Sequence, residues 1–161
     1  MKIRVSPPTF AEEVATTNLG YHMIAGLDEV GRGPLAGPVL AGAVVFPDGF
    51  NALWVSDIRD SKQLTSSQRE ILFSRMAETG IAWALGMASH EEVDAYGIVA
   101  ATRMAMLLAV ENLPIQPSFL LVDALSLPKS GIPHRAIVKG DQSSISIAAA
   151  SIVAKVHRDR I

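Results

Sequence analysis

Ile24-Ala25-Gly26-Leu27-Asp28-Glu29-Val30-Gly31-Arg32-Gly33-Pro34 ends a short apolar run in two adjacent carboxylates and follows them at once with a glycine-rich turn. Neighbouring residues of a strand point to opposite faces. Asp28 and Glu29 therefore meet at one point only if the chain bends beside them. Gly31 and Gly33 permit that bend and a close approach of backbone to a ligand. Arg32 presents a planar fork of donors suited to phosphate. Two acids for a cation beside a phosphate-competent turn suggest metal-assisted chemistry on a phosphodiester or nucleotide. A charged surface turn after a strand is the commoner origin of an Asp-Glu pair, and this stretch alone leaves the two readings level.

Working outward, Ile24–Leu27 reads as a first strand and Val39–Phe46 as a second, closed by the turn Pro47-Asp48-Gly49. About ten residues separate them, too few for a crossover helix, so they are expected to be antiparallel neighbours. Asp60-Ser61-Lys62-Gln63-Leu64 is a polar loop, and Thr65 caps an amphipathic helix over 66–79 that Gly80 stops. Ile81–Ala88 is a third strand. Ser89 caps a helical turn through Glu92, Tyr96 begins a long helix whose body is Val99–Asn112, and Pro114 ends it. Ser118–Asp123 is a fourth strand, apolar until its final acid, and Arg135–Val138 is a fifth, leading into Lys139-Gly140-Asp141. Ser144–Asp159 is a last helix, dense in Ala and Ser, with Asp141 as a candidate N-terminal cap. The element string βββαβαβα predicts a mixed sheet with helices on its faces.

Three strand ends thus carry acids: Asp28 with Glu29, Asp123, and Asp141. If strands one and four are parallel neighbours, Asp28 and Asp123 lie at the same sheet edge, where open α/β sheets gather ligands. Hard oxygen donors suit Mg²⁺ or Mn²⁺. Two such ions roughly 4 Å apart could activate water and stabilise a leaving oxygen.

Composition sets the outer limits. With 161 residues, 49% hydrophobic and 19% charged, the chain is globular and long enough for one core. The apolar run Ile145–Ala154 is interrupted by Ser146 and Ser151 and is too short to cross a bilayer. Glu12 and Glu13 interrupt any signal-peptide pattern. There is no cysteine, hence no disulfide or thiolate metal site. The expected address is cytoplasmic. A net charge of −2 offers nucleic acid no global attraction, so such a role needs local basic groups and cations.

In order and spacing, Asp28-Glu29-Val30-Gly31-Arg32-Gly33-Pro34, Asp60-Ser61-Lys62-Gln63-Leu64, Val122-Asp123, Lys139-Gly140-Asp141 and the segment 147–155 resemble the pattern of ribonuclease HII. The match runs from Ile24 to Ile161. The resemblance implies a ribonuclease H-like fold, a mixed five-stranded sheet flanked by helices, over 21–161, with 1–20 as an N-terminal arm of no assigned role. It implies an endoribonuclease, expected to be a monomer, that acts on RNA–DNA hybrids or on ribonucleotides embedded in duplex DNA and leaves 3′-hydroxyl and 5′-phosphate ends. Asp28, Glu29, Asp123 and Asp141 would bind two Mg²⁺ or Mn²⁺ ions. Gly31, Arg32 and Gly33 would read the ribose 2′-hydroxyl, and Ser61, Lys62 and Lys139 would approach substrate phosphates. Family members continue past the last arginine–aspartate motif into a segment whose tyrosine stacks at the ribonucleotide junction, a role neither Tyr21 nor Tyr96 can take. The missing segment raises one alternative, a truncated module that binds hybrids with little or no turnover; another is the catalytic domain of a ribonuclease HIII, which shares the fold. Lys155 with Asp159 reads as a surface ion pair, Ser151 as a small packing residue, and Met104 and Met106 as core filling.

Overall fold

The computed structural model describes residues 6–31 and 37–161. Five strands, β1 (Ile24–Val30), β2 (Val39–Val45), β3 (Ala82–Ala88), β4 (Phe119–Asp123) and β5 (His134–Ile137), form one sheet in the order β3-β2-β1-β4-β5. β1 pairs antiparallel with β2, which pairs antiparallel with β3. β1 and β4 are parallel, as are β4 and β5. The mixed five-stranded sheet expected from the sequence is present, and the parallel β1–β4 pairing, on which placing Asp28 and Asp123 at one edge depended, is observed. The string βββαβαβα is corrected: as the residue ranges read from the sequence already place it, a helix stands between β2 and β3, and only the short 3₁₀ turn Pro128–Ser130 stands between β4 and β5.

The helices are α1 (Ala11–Asn18), α2 (Ser66–Glu78), α3 (His90–Tyr96), α4 (Ile98–Asn112) and α5 (Ile145–Asp159). Thr65 and Gln68 form a reciprocal capping box at the start of α2, and Ser89 with Glu92 does the same for α3. The single turn expected after Ser89 is thus a full helix, and Tyr96 ends it rather than beginning the next. Gly97, at φ 87°, breaks the path, and its N–H donates to the Val93 carbonyl at 2.9 Å. No helix among the described residues is long and apolar enough to cross a membrane.

Two apolar layers sandwich the sheet. Ala25 and Leu27 of β1 pack with Ala105, Met106 and Ala109 of α4 on one face. On the other, Val44 and Ile81 pack with Phe73 and Met76 of α2 and with Ala149 and Ile152 of α5. Period-two alternation along β1 sends Gly26 and Asp28 toward the α5 face. Gly26 has no room for a side chain, since a Cβ there would lie 2.2 Å from the Ser146 carbonyl carbon. Leu121 packs against Ile147 of α5, so Asp123, two residues on, shares the face of Asp28.

Candidate metal centre

The β1–β4 register ends with Leu27 opposite Val122, so the next step sets Asp28 beside Asp123. One carboxylate oxygen from each of Asp28, Glu29 and Asp123 can be chosen so that all lie within 4.8 Å of one another. Asp28 is the innermost, 4% exposed, and its Oδ1 accepts the Glu29 N–H at 2.8 Å. Asp123 Oδ1 accepts the Gly140 N–H at 2.8 Å. This bond joins the end of β4 to the short 3₁₀ turn Gly140–Gln142, whose middle residue is Asp141. Asp141 lies outside the close trio but faces it electrostatically. Ser144, not Asp141, caps α5: its Oγ accepts the Ile147 N–H at 3.2 Å. Asp141 is three residues too early for that bond and is left available to the acid cluster.

Three of the acids, Asp28, Asp123 and Asp141, resist ionisation. Burial is the largest cause holding Asp28 well above the usual carboxylate range, followed by the charges of Glu29, Asp123 and Asp141. Asp123 is raised by burial and by Glu29, against the pull of hydrogen bonds from the Gly140 and Asp141 backbone and the Asp28 side chain. Asp141 is pushed up to about 6 by burial, then by Asp123 and Asp60, with the Lys62 charge opposing. Closely set, largely buried carboxylate oxygens of like charge are a donor set that a hard divalent cation fits.

Backbone strain surrounds the cluster. Ala124, directly after Asp123, and Lys139, two before Asp141, adopt positive φ of 61° and 53° without being glycine. Each such residue costs about 1 kcal/mol or more, and such strain gathers where geometry serves a site. No signal in the sequence marked Ala124. Gly31 follows β1 at φ 97°, and a Cβ there would lie 2.6 Å from the Pro38 carbonyl oxygen. The turn expected from the sequence therefore begins where glycine is obligatory. Arg32 and Gly33 lie outside the described residues.

The loop 60–64 is held rigidly. Asp60 Oδ1 accepts the Lys62 N–H at 2.8 Å. Arg69 donates to the Ser61 and Leu64 carbonyls at 2.9 and 2.7 Å. The Ser61 N–H donates to Ser151 Oγ at 3.0 Å, and that hydroxyl donates to the Ala148 carbonyl at 2.8 Å. Ser61 is buried, whereas Lys62 and Lys139 are exposed at the rim. Ser151 is more than a small packing residue, because it fastens this loop to α5. Asp60 and Arg69 were not marked as site residues in the sequence, since a loop acid and a helix arginine carry no local signal of burial. Lys155 and Asp159 form the expected ion pair at 2.9 Å, which Arg69 joins at 3.2 Å.

A family model described as Ribonuclease HII matches residues 25–161. Over all 161 residues the chain is 48% identical to a protein named Ribonuclease HII from Dehalococcoides mccartyi (strain BAV1), and it covers 76% of that protein. A protein of the same name from Roseiflexus castenholzii is 48% identical over 157 residues, which make up 96% of this chain and 70% of the relative. Among solved structures, the ribonuclease H2 from Pyrococcus horikoshii OT3 matches with a TM-score of 0.72 and 34% identity, over 85% of this chain and 72% of that one. The Bst-RNase HIII structure in complex with Mn²⁺ shares the fold at TM-score 0.62 and 21% identity, over 89% of this chain and 54% of that one.

Proposed function

Because this chain belongs to the ribonuclease HII family, we propose that it hydrolyses the RNA strand of RNA–DNA hybrids, and ribonucleotides embedded in duplex DNA, with two divalent cations held by Asp28, Glu29, Asp123 and Asp141. The observation that supports this most is the close carboxylate trio at the β1 and β4 ends, with Asp141 facing it from the next turn. When bound there, Mg²⁺ or Mn²⁺ supplies a lowered pKa for the attacking water and positive charge beside the leaving 3′ oxygen.

The chain's own residues position the substrate. Asp28 is fixed in the sheet and Asp123 is tied to Gly140, so two of the four acids hold their geometry without a ligand. Lys62 and Lys139 stand at the exposed rim, where an ammonium attracts phosphate as a point charge. The turn that starts at Gly31, with Arg32 and Gly33, is proposed to meet the ribose 2′-hydroxyl, the group that separates RNA from DNA at one nucleotide. Ser61 is buried, so its part is to hold Lys62 in place rather than to touch phosphate through its side chain. Attack by water requires no covalent intermediate on the protein, and the products carry 3′-hydroxyl and 5′-phosphate ends.

The test is a DNA duplex carrying one ribonucleotide, incubated with the 161-residue chain and Mg²⁺ or Mn²⁺. One cut at the ribonucleotide is expected, with those ends, with no cut in the all-DNA duplex and loss of cleavage on chelation. An uncut duplex that the chain still binds would replace this reading with that of a hybrid-binding module.

A further inference from the structure

Two adjacent acids of α1 reach the two sides of the turn that carries Asp141. Glu12 pairs with Arg135 of β5, the strand that runs into the turn. Glu13 reaches α5, the helix that leaves it: Glu13 Oε2 accepts the Ser146 N–H at 2.9 Å and the Ser144 hydroxyl at 3.1 Å. The residues just before α1 add main-chain ties. The Thr9 N–H donates to the Ser143 carbonyl at 3.1 Å, and the Ile145 N–H donates to the Thr9 carbonyl at 3.1 Å. Between these anchors the turn has its own short bonds, Gln142 N–H to Lys139 O at 3.0 Å and Ser144 N–H to Gly140 O at 2.8 Å.

Glu13 is an unusual choice for a merely structural tie. It is buried, at 8% exposure, and burial pushes its carboxyl up against the pull of the Ser146 and Ser144 donors. Ser144 already caps the Ile147 N–H of α5, and Glu13 takes a second first-turn donor, the Ser146 N–H, from a distant helix. Its bonds also link α1 to Ser144 and Ser146, more than 130 residues away, just past the turn. The turn needs such a link, because Lys139 enters it in a strained left-handed conformation and Asp141 is repelled by the acids it faces.

We propose that Glu13 is a positioning residue for the nuclease centre: with Thr9 and the Glu12–Arg135 pair, it clamps the turn 139–143 so that Asp141 is held toward Asp28 and Asp123. This rests on the reading of those carboxylates as the cation site. Through Asp141, the clamp sets cation affinity and turnover without touching substrate.

Glu13→Ala tests it, alongside Glu13→Gln, whose amide oxygen still accepts from Ser146 and Ser144. Three quantities are measured: amide hydrogen exchange at Gln142 and Ser144, Mn²⁺ affinity by calorimetry, and kcat on the single-ribonucleotide duplex. Removing a partner that orients a ligand typically costs 10- to 100-fold. Glu13→Ala is therefore expected to speed exchange in the turn about 10-fold, weaken Mn²⁺ about 10-fold and lower kcat by about 10- to 100-fold. Amides in β1 should keep their protection, and Glu13→Gln should stay within about threefold of wild type. A folded Glu13→Ala protein with wild-type exchange, Mn²⁺ affinity and kcat overturns the clamp. If Glu13→Ala does not fold, Glu13→Asp decides by the same measurements, since its shortened side chain draws the acceptor away from Ser146. Should the wild-type chain bind no Mn²⁺ and cut nothing, the nuclease reading fails, and the exchange comparison still decides whether Glu13 holds the turn.

Discussion

Asp28→Asn is expected to lower cleavage by at least about 10³-fold while making the cation-free protein more stable by about 1 to 2 kcal/mol. The two signs come from one cause. Asp28 is the most buried of the clustered acids and suffers the charges of Glu29, Asp123 and Asp141. Asparagine keeps the oxygen that accepts the Glu29 N–H and removes the repelled charge. A carboxyl whose folded pKa is raised destabilises the fold fully above that raised value. The penalty shrinks as pH falls through it and vanishes below the unfolded value near 3.8. The gain from Asp28→Asn is therefore larger at pH 8 than at pH 5 and fades on acidification. Urea unfolding of both proteins with chelator at pH 8 and pH 5, with kcat at pH 8, measures both signs. A variant that cleaves like wild type contradicts the site assignment. One that loses stability at pH 8 contradicts the electrostatic account.

Gly26→Ala is expected to destabilise the fold by at least about 3 kcal/mol, through contact rather than conformation. Its φ is not in the left-handed region, so alanine meets no backbone penalty there. The added Cβ would lie 2.2 Å from the Ser146 carbonyl carbon and 2.5 Å from the Ile147 nitrogen. Both are main-chain atoms of a buried helix and cannot rotate aside. For a chain of this size the loss corresponds to a fall in Tm of roughly 6 to 12 °C. Cleavage should fall too, because α5 can yield only by carrying Ser144 and the Asp141 turn away from β1. Thermal unfolding of the variant decides: a change under about 1 kcal/mol would mean that α5 does not sit on β1 as described.

The acids were legible because an acid at the end of an apolar strand stands out locally, and three such ends in one sheet point to one place. The β1–β2 hairpin was legible from the shortness of its connection. What was not legible depended on distant partners. Glu13 looked like any acid in a short helix, since its partners Ser144 and Ser146 are some 130 residues away. Ser151 read as a small residue that avoids crowding, and its bond to the loop at Ser61 has no local signature. The assignment of Asp141 as a cap failed because Ser144, the better placed hydroxyl, had already taken that work. The helix α3 was foreshortened because its N-terminal capping box was visible, whereas its end rests on the backbone of Gly97.

The central claim is that the four carboxylates form a divalent-cation site, and a calorimetric Mn²⁺ titration at pH 6 tests it most directly. Because Asp141 is pushed up to about 6, the cluster carries a share of a proton at that pH which a cation must displace. Titrations in two buffers of different ionisation enthalpy should give different heats, revealing proton release on binding, and Asp28→Asn should abolish the binding. Equal heats in both buffers, or Mn²⁺ binding as tight in Asp28→Asn as in wild type, would contradict the claim.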